Sequence, residues 1–142
     1  MAHTLAARYS QAIHPFHAVL VAGGMVLFLG ATLSDLAYAA TYHVQWTNFG
    51  SWLIPGALLL TGLALLFTLA DLIRVHRRAA GIGAYAVVLV ITWILGFINA
   101  LVHARDAWGA MPMGLWLSVI TTVLAAAATW LGFSHRHPGV PR

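Results

Sequence analysis

Eight histidines and three aspartates are the residues of this chain best suited to acid–base, metal or redox chemistry. Cysteine is absent, so disulfides, thiolate metal sites, iron–sulfur clusters and cysteine nucleophiles are excluded. Glutamate is absent too, and the paired-carboxylate chemistry of hydrolases would have to join Asp35 to Asp71. No Gly-x-Ser-x-Gly elbow, His-Glu-x-x-His helix, phosphate-binding loop or dinucleotide fingerprint occurs, and the chain is not expected to be an enzyme.

The histidines cluster by position. His14, His17 and His76 fall at one set of segment ends, and His43 and His103 at the other. A b-type haem between helices needs two imidazoles facing each other at one depth, and His17 with His76, or His43 with His103, has the right count. Gly23, Gly24, Gly30, Gly62 and Gly96 would leave room for a flat macrocycle. In a variant of this reading, His14 and His17, spaced by three, would join Asp71 and His76 around a divalent ion. His43 and His76 fall at or past the segment ends, where a ligand is poorly fixed. Ordinary interfacial histidines are therefore the simpler expectation.

The elements that position these residues follow from composition. Of 142 residues, 61% are hydrophobic and 7% charged. A soluble domain carries about 25% charged residues, so a soluble globular domain is excluded. A hydrocarbon core about 30 Å thick takes roughly 20 apolar residues per helix. Four stretches qualify, over residues 16–41, 52–75, 83–103 and 113–133, followed by a polar tail over 134–142. The breaks hold turn residues: Asn48-Phe49-Gly50-Ser51, with Ser51 a candidate N-cap, then Gly81-Ile82-Gly83, then Gly109-Ala110-Met111-Pro112. Connections this short give an all-α, antiparallel four-helix bundle as a single integral membrane domain.

Arginine distribution sets the expected orientation. Arg8, Arg74, Arg77, Arg78, Arg136 and Arg142 lie on the side of both termini, against Arg105 alone on the other. That bias places both termini in the cytoplasm of a bacterial inner membrane. Trp46, Trp52, Trp108 and Trp116 bracket the outer boundary, and Tyr85 and Trp130 the inner. The run after Arg8 is too long for a signal-peptide core and contains Asp35, so it reads as a retained helix. The pI near 10.4 reports topology rather than nucleic-acid binding, for no basic run with interleaved aromatics exists.

A buried polar residue at a helix centre costs about 2.5–3.5 kcal/mol on insertion scales, so those present must face inward. His17 and Asp35 are five helical turns apart and share a face. Thr92, Asn99, His103 and Asp106 form a stripe in the third segment, and Ser118, Thr122, Ala125 and Thr129 one in the fourth. Two polar layers result. The outer holds Asp35, Tyr38, Asn99, His103 and Ser118, with Arg105 at its rim; the inner holds His14, His17, Asp71 and His76. An apolar slab of Phe28, Leu66, Phe67 and Trp93 separates them. Asp35 is expected to be held by Arg105 or Asn99, and Asp71 by Arg74 or Arg78, as pairs that fix helix register.

The opening Ile13-His14-Pro15-Phe16-His17, with Asp35, Asp71, Asn99 and Arg105 at later helix ends, resembles a bacterial family of four-helix membrane proteins catalogued as a domain of unknown function. The likeness runs from His14 to Asp106. Many members carry a further His-x-Pro early in the first helix, where this chain has Val21-Ala22-Gly23-Gly24. The resemblance implies a fold, a membrane location and a loose tie to redox proteins.

Three functions are compatible with this reading. The first is a small structural or accessory subunit that meets a complex partner or a second copy within the bilayer. The second is a haem b electron carrier. The third is a conduit for protons or a small solute along the face of Asp35 and His17, and the apolar slab weighs against it.

Overall fold

The computed structural model describes residues 15–74 and 82–134. They form α1 (Pro15–Thr41), α2 (Val44–Arg74), α3 (Ile82–His103), a single turn α4 (Ala107–Ala110) and α5 (Met113–Ser134), with no strand among the described residues. Helices α1, α2, α3 and α5 are each long and apolar enough to cross a membrane. They pack as an antiparallel ring in which α1 touches α2 and α5, and α3 touches α2 and α5.

Small residues let the helices close. In α2 the buried stripe Ile54, Ala57, Thr61, Ala64 and Thr68 advances by three and four, the period of one helix face. Gly24 of α1 meets that stripe, where an added Cβ would lie 2.5 Å from Thr61 Cγ2. Gly96 of α3 receives the ring of Phe28, which is fully buried. Gly62 lets the Trp93 indole reach across from α3 and donate to the Leu58 carbonyl of α2 at 3.1 Å. Threonines that would be costly in hydrocarbon donate to carbonyls one turn back, as Thr61, Thr68 and Thr92 do to Ala57, Ala64 and Val88.

The core forms two apolar layers. One gathers Phe28, Ala31, Ile54, Ala57 and Ala125. The other gathers Leu20, Val21, Ala64, Tyr85, Leu89 and Ala128. Phe28 takes the place expected of it. Leu66 and Phe67 do not: they are exposed, because the Ala64–Thr68 face of α2 turns inward and carries them to the outside. That outside is largely apolar, with Val19, Leu59, Leu66, Ile73 and Val123 all open, as helices facing acyl chains require. Trp52, Trp108 and Trp116 ring the end opposite the termini, and Trp130 marks the other end. Tyr85 is not part of this belt; it is buried.

The largest departure from expectation is the start of α2. Asn48-Phe49-Gly50-Ser51 is helix rather than turn, and α2 begins at Val44 instead of Trp52. The reversal is compressed into Tyr42 and His43. Tyr42 takes a positive φ of 57° and its amide donates to the Tyr38 carbonyl, ending α1 in a left-handed cap. Ser51 therefore caps nothing. Its hydroxyl donates to the Thr47 carbonyl within α2 and lies 3.3 Å from the His103 carbonyl of α3.

Candidate functional site

Four buried polar residues, Asp35, Asn99, His103 and Ser118, converge at the end of the bundle opposite Pro15 and Ser134. Asp35, on the last two turns of α1, is fully buried, and His103, the last residue of α3, is 3% exposed. Their side chains meet at 2.9 Å, His103 Nε2 to Asp35 Oδ1. The other ring nitrogen, Nδ1, lies 3.1 Å from the Asn99 carbonyl one turn back on α3. Asn99 in turn donates through Nδ2 to Ser118 Oγ of α5 at 2.9 Å. Asp35 Oδ2, Asn99 Oδ1 and Thr47 Oγ1 are buried with no hydrogen-bond partner among the described residues.

Two glycines clamp the imidazole. A Cβ at Gly50 of α2 would lie 3.3 Å from Asp35 Oδ1 and 3.4 Å from His103 Nε2. A Cβ at Gly114 of α5 would lie 2.8 Å from His103 Cε1, inside any contact a real Cβ makes. All four long helices thus meet at one pair of side chains. α1 supplies the carboxyl, α3 the imidazole, and α2 and α5 bare backbone on either flank.

Of the expected outer layer, Asp35, Asn99, His103 and Ser118 come together, and Tyr38 is buried one turn beyond Asp35. The expected partner of Asp35 is wrong. His103 holds it, whereas Arg105 is exposed in the α3–α4 turn and Asn99 is spent on Ser118. The physical reason is that α3 ends at His103 and its last turn aims the imidazole inward, while Arg105 already belongs to the turn. Asp106 likewise leaves the α3 stripe, accepting from the Gly109 amide to cap α4. Gly50, Gly114 and Thr47 were missed. Gly114 lies four residues before Ser118 of the polar layer, a signal too weak to stand out because glycine is common in membrane helices, and Gly50 carries no such signal.

The inner layer is sparser. His17 Nε2 lies 2.8 Å from the Tyr85 hydroxyl of α3, beside Phe67. A shallow crevice too small to hold a water molecule borders the pair, lined by His17, Ala18, Val21, Tyr85, Thr129, Gly132 and Phe133. Asp71 is exposed near the end of α2. His14, His76 and Arg78, and the side chain of Arg74, lie outside the described residues, and so do the pairings expected of them. Between the two layers Thr32 Oγ1 and Thr122 Oγ1 meet at 2.8 Å, joining α1 to α5.

The described histidine candidates for haem or a metal are His17, His43 and His103. His103 spends both ring nitrogens inside the protein, and His43 is exposed in the α1–α2 turn. No group of three or more histidine and acidic side chains gathers among the described residues.

A ring of four apolar helices closed on a buried imidazole–carboxyl pair defines an integral membrane bundle. The chain belongs to the family described as Predicted membrane protein (DUF2231), which matches residues 13–136. No curated protein and no solved structure matches the chain.

Proposed function

We propose that this protein is a structural or accessory subunit of the bacterial inner membrane, with both termini in the cytoplasm and no chemistry of its own. The observation that carries this reading is how the interior polar groups are used. The Asp35–His103 bridge, the Asn99–Ser118 bond and the Thr32–Thr122 contact each tie one helix to another. Thr61, Thr68 and Thr92 bond their own backbone. Side chains spent on register are not poised for a substrate. The six-to-one arginine bias supports the orientation.

A haem carrier would need a free imidazole at bundle depth, and His103 is committed at both nitrogens. A conduit would need a polar path through two apolar layers built on Phe28 and Leu89. The test is threefold. Detergent-purified protein, oxidised and then dithionite-reduced, is expected to show no haem bands. Proteoliposomes are expected to show no proton or solute flux above empty vesicles. Asp35→Ala is expected to lower the folded yield. Haem bands in the native protein, or flux abolished by Asp35→Asn in a folded protein, would overturn the reading.

A further inference from the structure

We infer that the Asp35–His103 bridge is a buried proton-binding site, loaded with a single proton held between Nε2 and Oδ1. The argument is a count of donors. The Asn99 carbonyl oxygen can only accept, so His103 Nδ1, 3.1 Å away, must carry a hydrogen. An imidazole protonated at Nδ1 and otherwise neutral presents a bare lone pair at Nε2. An ionised Asp35 presents only lone pairs at Oδ1. Two acceptors do not hydrogen-bond, yet these atoms sit at 2.9 Å. One further proton belongs between them. On nitrogen it makes an imidazolium facing a carboxylate; on oxygen it makes a carboxylic acid facing a neutral imidazole. The site is neutral in both forms.

Two observations strengthen the count. Asp35 Oδ2 has no partner among the described residues, so the bridge proton is the one donor hydrogen that reaches this carboxyl. The flanking helices offer no substitute charge either. α2 brings Gly50 to the bridge and α5 brings Gly114, with Ser51 and Ser118 nearby, all uncharged. Arg105 and Asp106 are exposed in the turn beyond α3, and Asp106 is engaged with the Gly109 amide. Release of the proton to water would leave one net negative charge in a site that water does not reach. It would also turn a bond between α1 and α3 into a repulsion. The proton is therefore the ligand that closes these two helices on each other.

The experiment reads protonation directly in the full-length protein, in detergent and in lipid bilayers near neutral pH. Labelling with ¹⁵N-histidine reports which ring nitrogens carry hydrogen, and ¹³C-carboxyl aspartate, with infrared spectra, reports the acid or carboxylate form. The chain has three aspartates, so Asp71→Asn and Asp106→Asn, both at exposed positions, assign Asp35 by elimination without disturbing the core. Asp35→Asn supplies a bridge that needs no extra proton, its amide donating to Nε2. The expected result is a protonated Nδ1 together with either a protonated Nε2 or a protonated Asp35 carboxyl, one proton more per chain than Asp35→Asn. A neutral imidazole beside an ionised Asp35, or a bare Nδ1, would overturn the inference.

Discussion

At the scale of single residues, the stability of the bundle's outer end depends on which half of the bridge is removed. His103→Leu strands a carboxyl in a sealed interior, and breaking a buried pair this way costs about 3–5 kcal/mol. Asp35→Ala leaves only one imidazole nitrogen unpaired, a loss of about 1–3 kcal/mol. Asp35→Asn keeps a donor for Nε2, and the loss falls to about 1 kcal/mol, the scale of one interhelical hydrogen bond in a membrane. Unfolding midpoints in mixed detergent should rank the variants in that order. Arg105→Gln should change little, because Arg105 is exposed and Asp35 is held by His103 instead. A large loss at Arg105 with none at His103 would mean that the bridge is misassigned.

At the scale of elements, the glycines report how closely the helices approach. Gly114→Ala drives a Cβ to 2.8 Å from the His103 ring, and the ring is already fixed by two hydrogen bonds. Gly50→Ala makes contacts of 3.3–3.4 Å to the same pair, which a shift of a few tenths of an ångström relieves. Gly83, near the start of α3, has nothing within 4 Å. Gly83→Ala should stabilise the protein by about 0.5–1 kcal/mol through helix propensity. The expected order is therefore a clear loss at Gly114, a smaller one at Gly50 and a gain at Gly83, checked by thermal unfolding in micelles. Equal losses at all three would point to a general intolerance of added volume rather than to a clamp on the imidazole. The N-terminal third of α2 belongs to the same clamp. It stays helical through Gly50 because that stretch lies against the bridge, which local turn chemistry alone would not produce.

At the scale of the whole molecule, α2 is 31 residues and about 46 Å long by helical rise, well beyond a hydrocarbon core of about 30 Å. α2 must tilt or project, and its first turns, with Trp46 and Trp52, are suited to the interface. A cysteine at Trp46 should be labelled by an impermeant thiol reagent from the periplasmic side of intact cells, and a cysteine in the C-terminal tail should not. The reverse pattern would invert the proposed orientation. An even number of spans puts both ends of the bundle's chain on one face, so a single reporter at either terminus is an independent check.

The membrane class, the number of spans and the inward facing of Asp35, Thr92, Asn99, His103 and Ser118 were legible in the sequence, because each is decided locally. A scarcity of charge, runs of some twenty apolar residues and a helical period leave few alternatives. Asp35, Asn99, His103 and Ser118 could be assigned to one layer by counting depth along antiparallel helices. Their pairing could not. Which donor reaches Asp35 depends on where α3 stops and which way its last turn faces, and that is set by packing against α2 and α5. The same holds for Asn48–Ser51, which has the composition of a turn but lies within a helix, and for Gly50 and Gly114, whose missing side chains matter only beside a neighbour's ring. Burial and periodicity are properties of a segment, whereas contact is a property of several segments at once, and only the assembled bundle decides it.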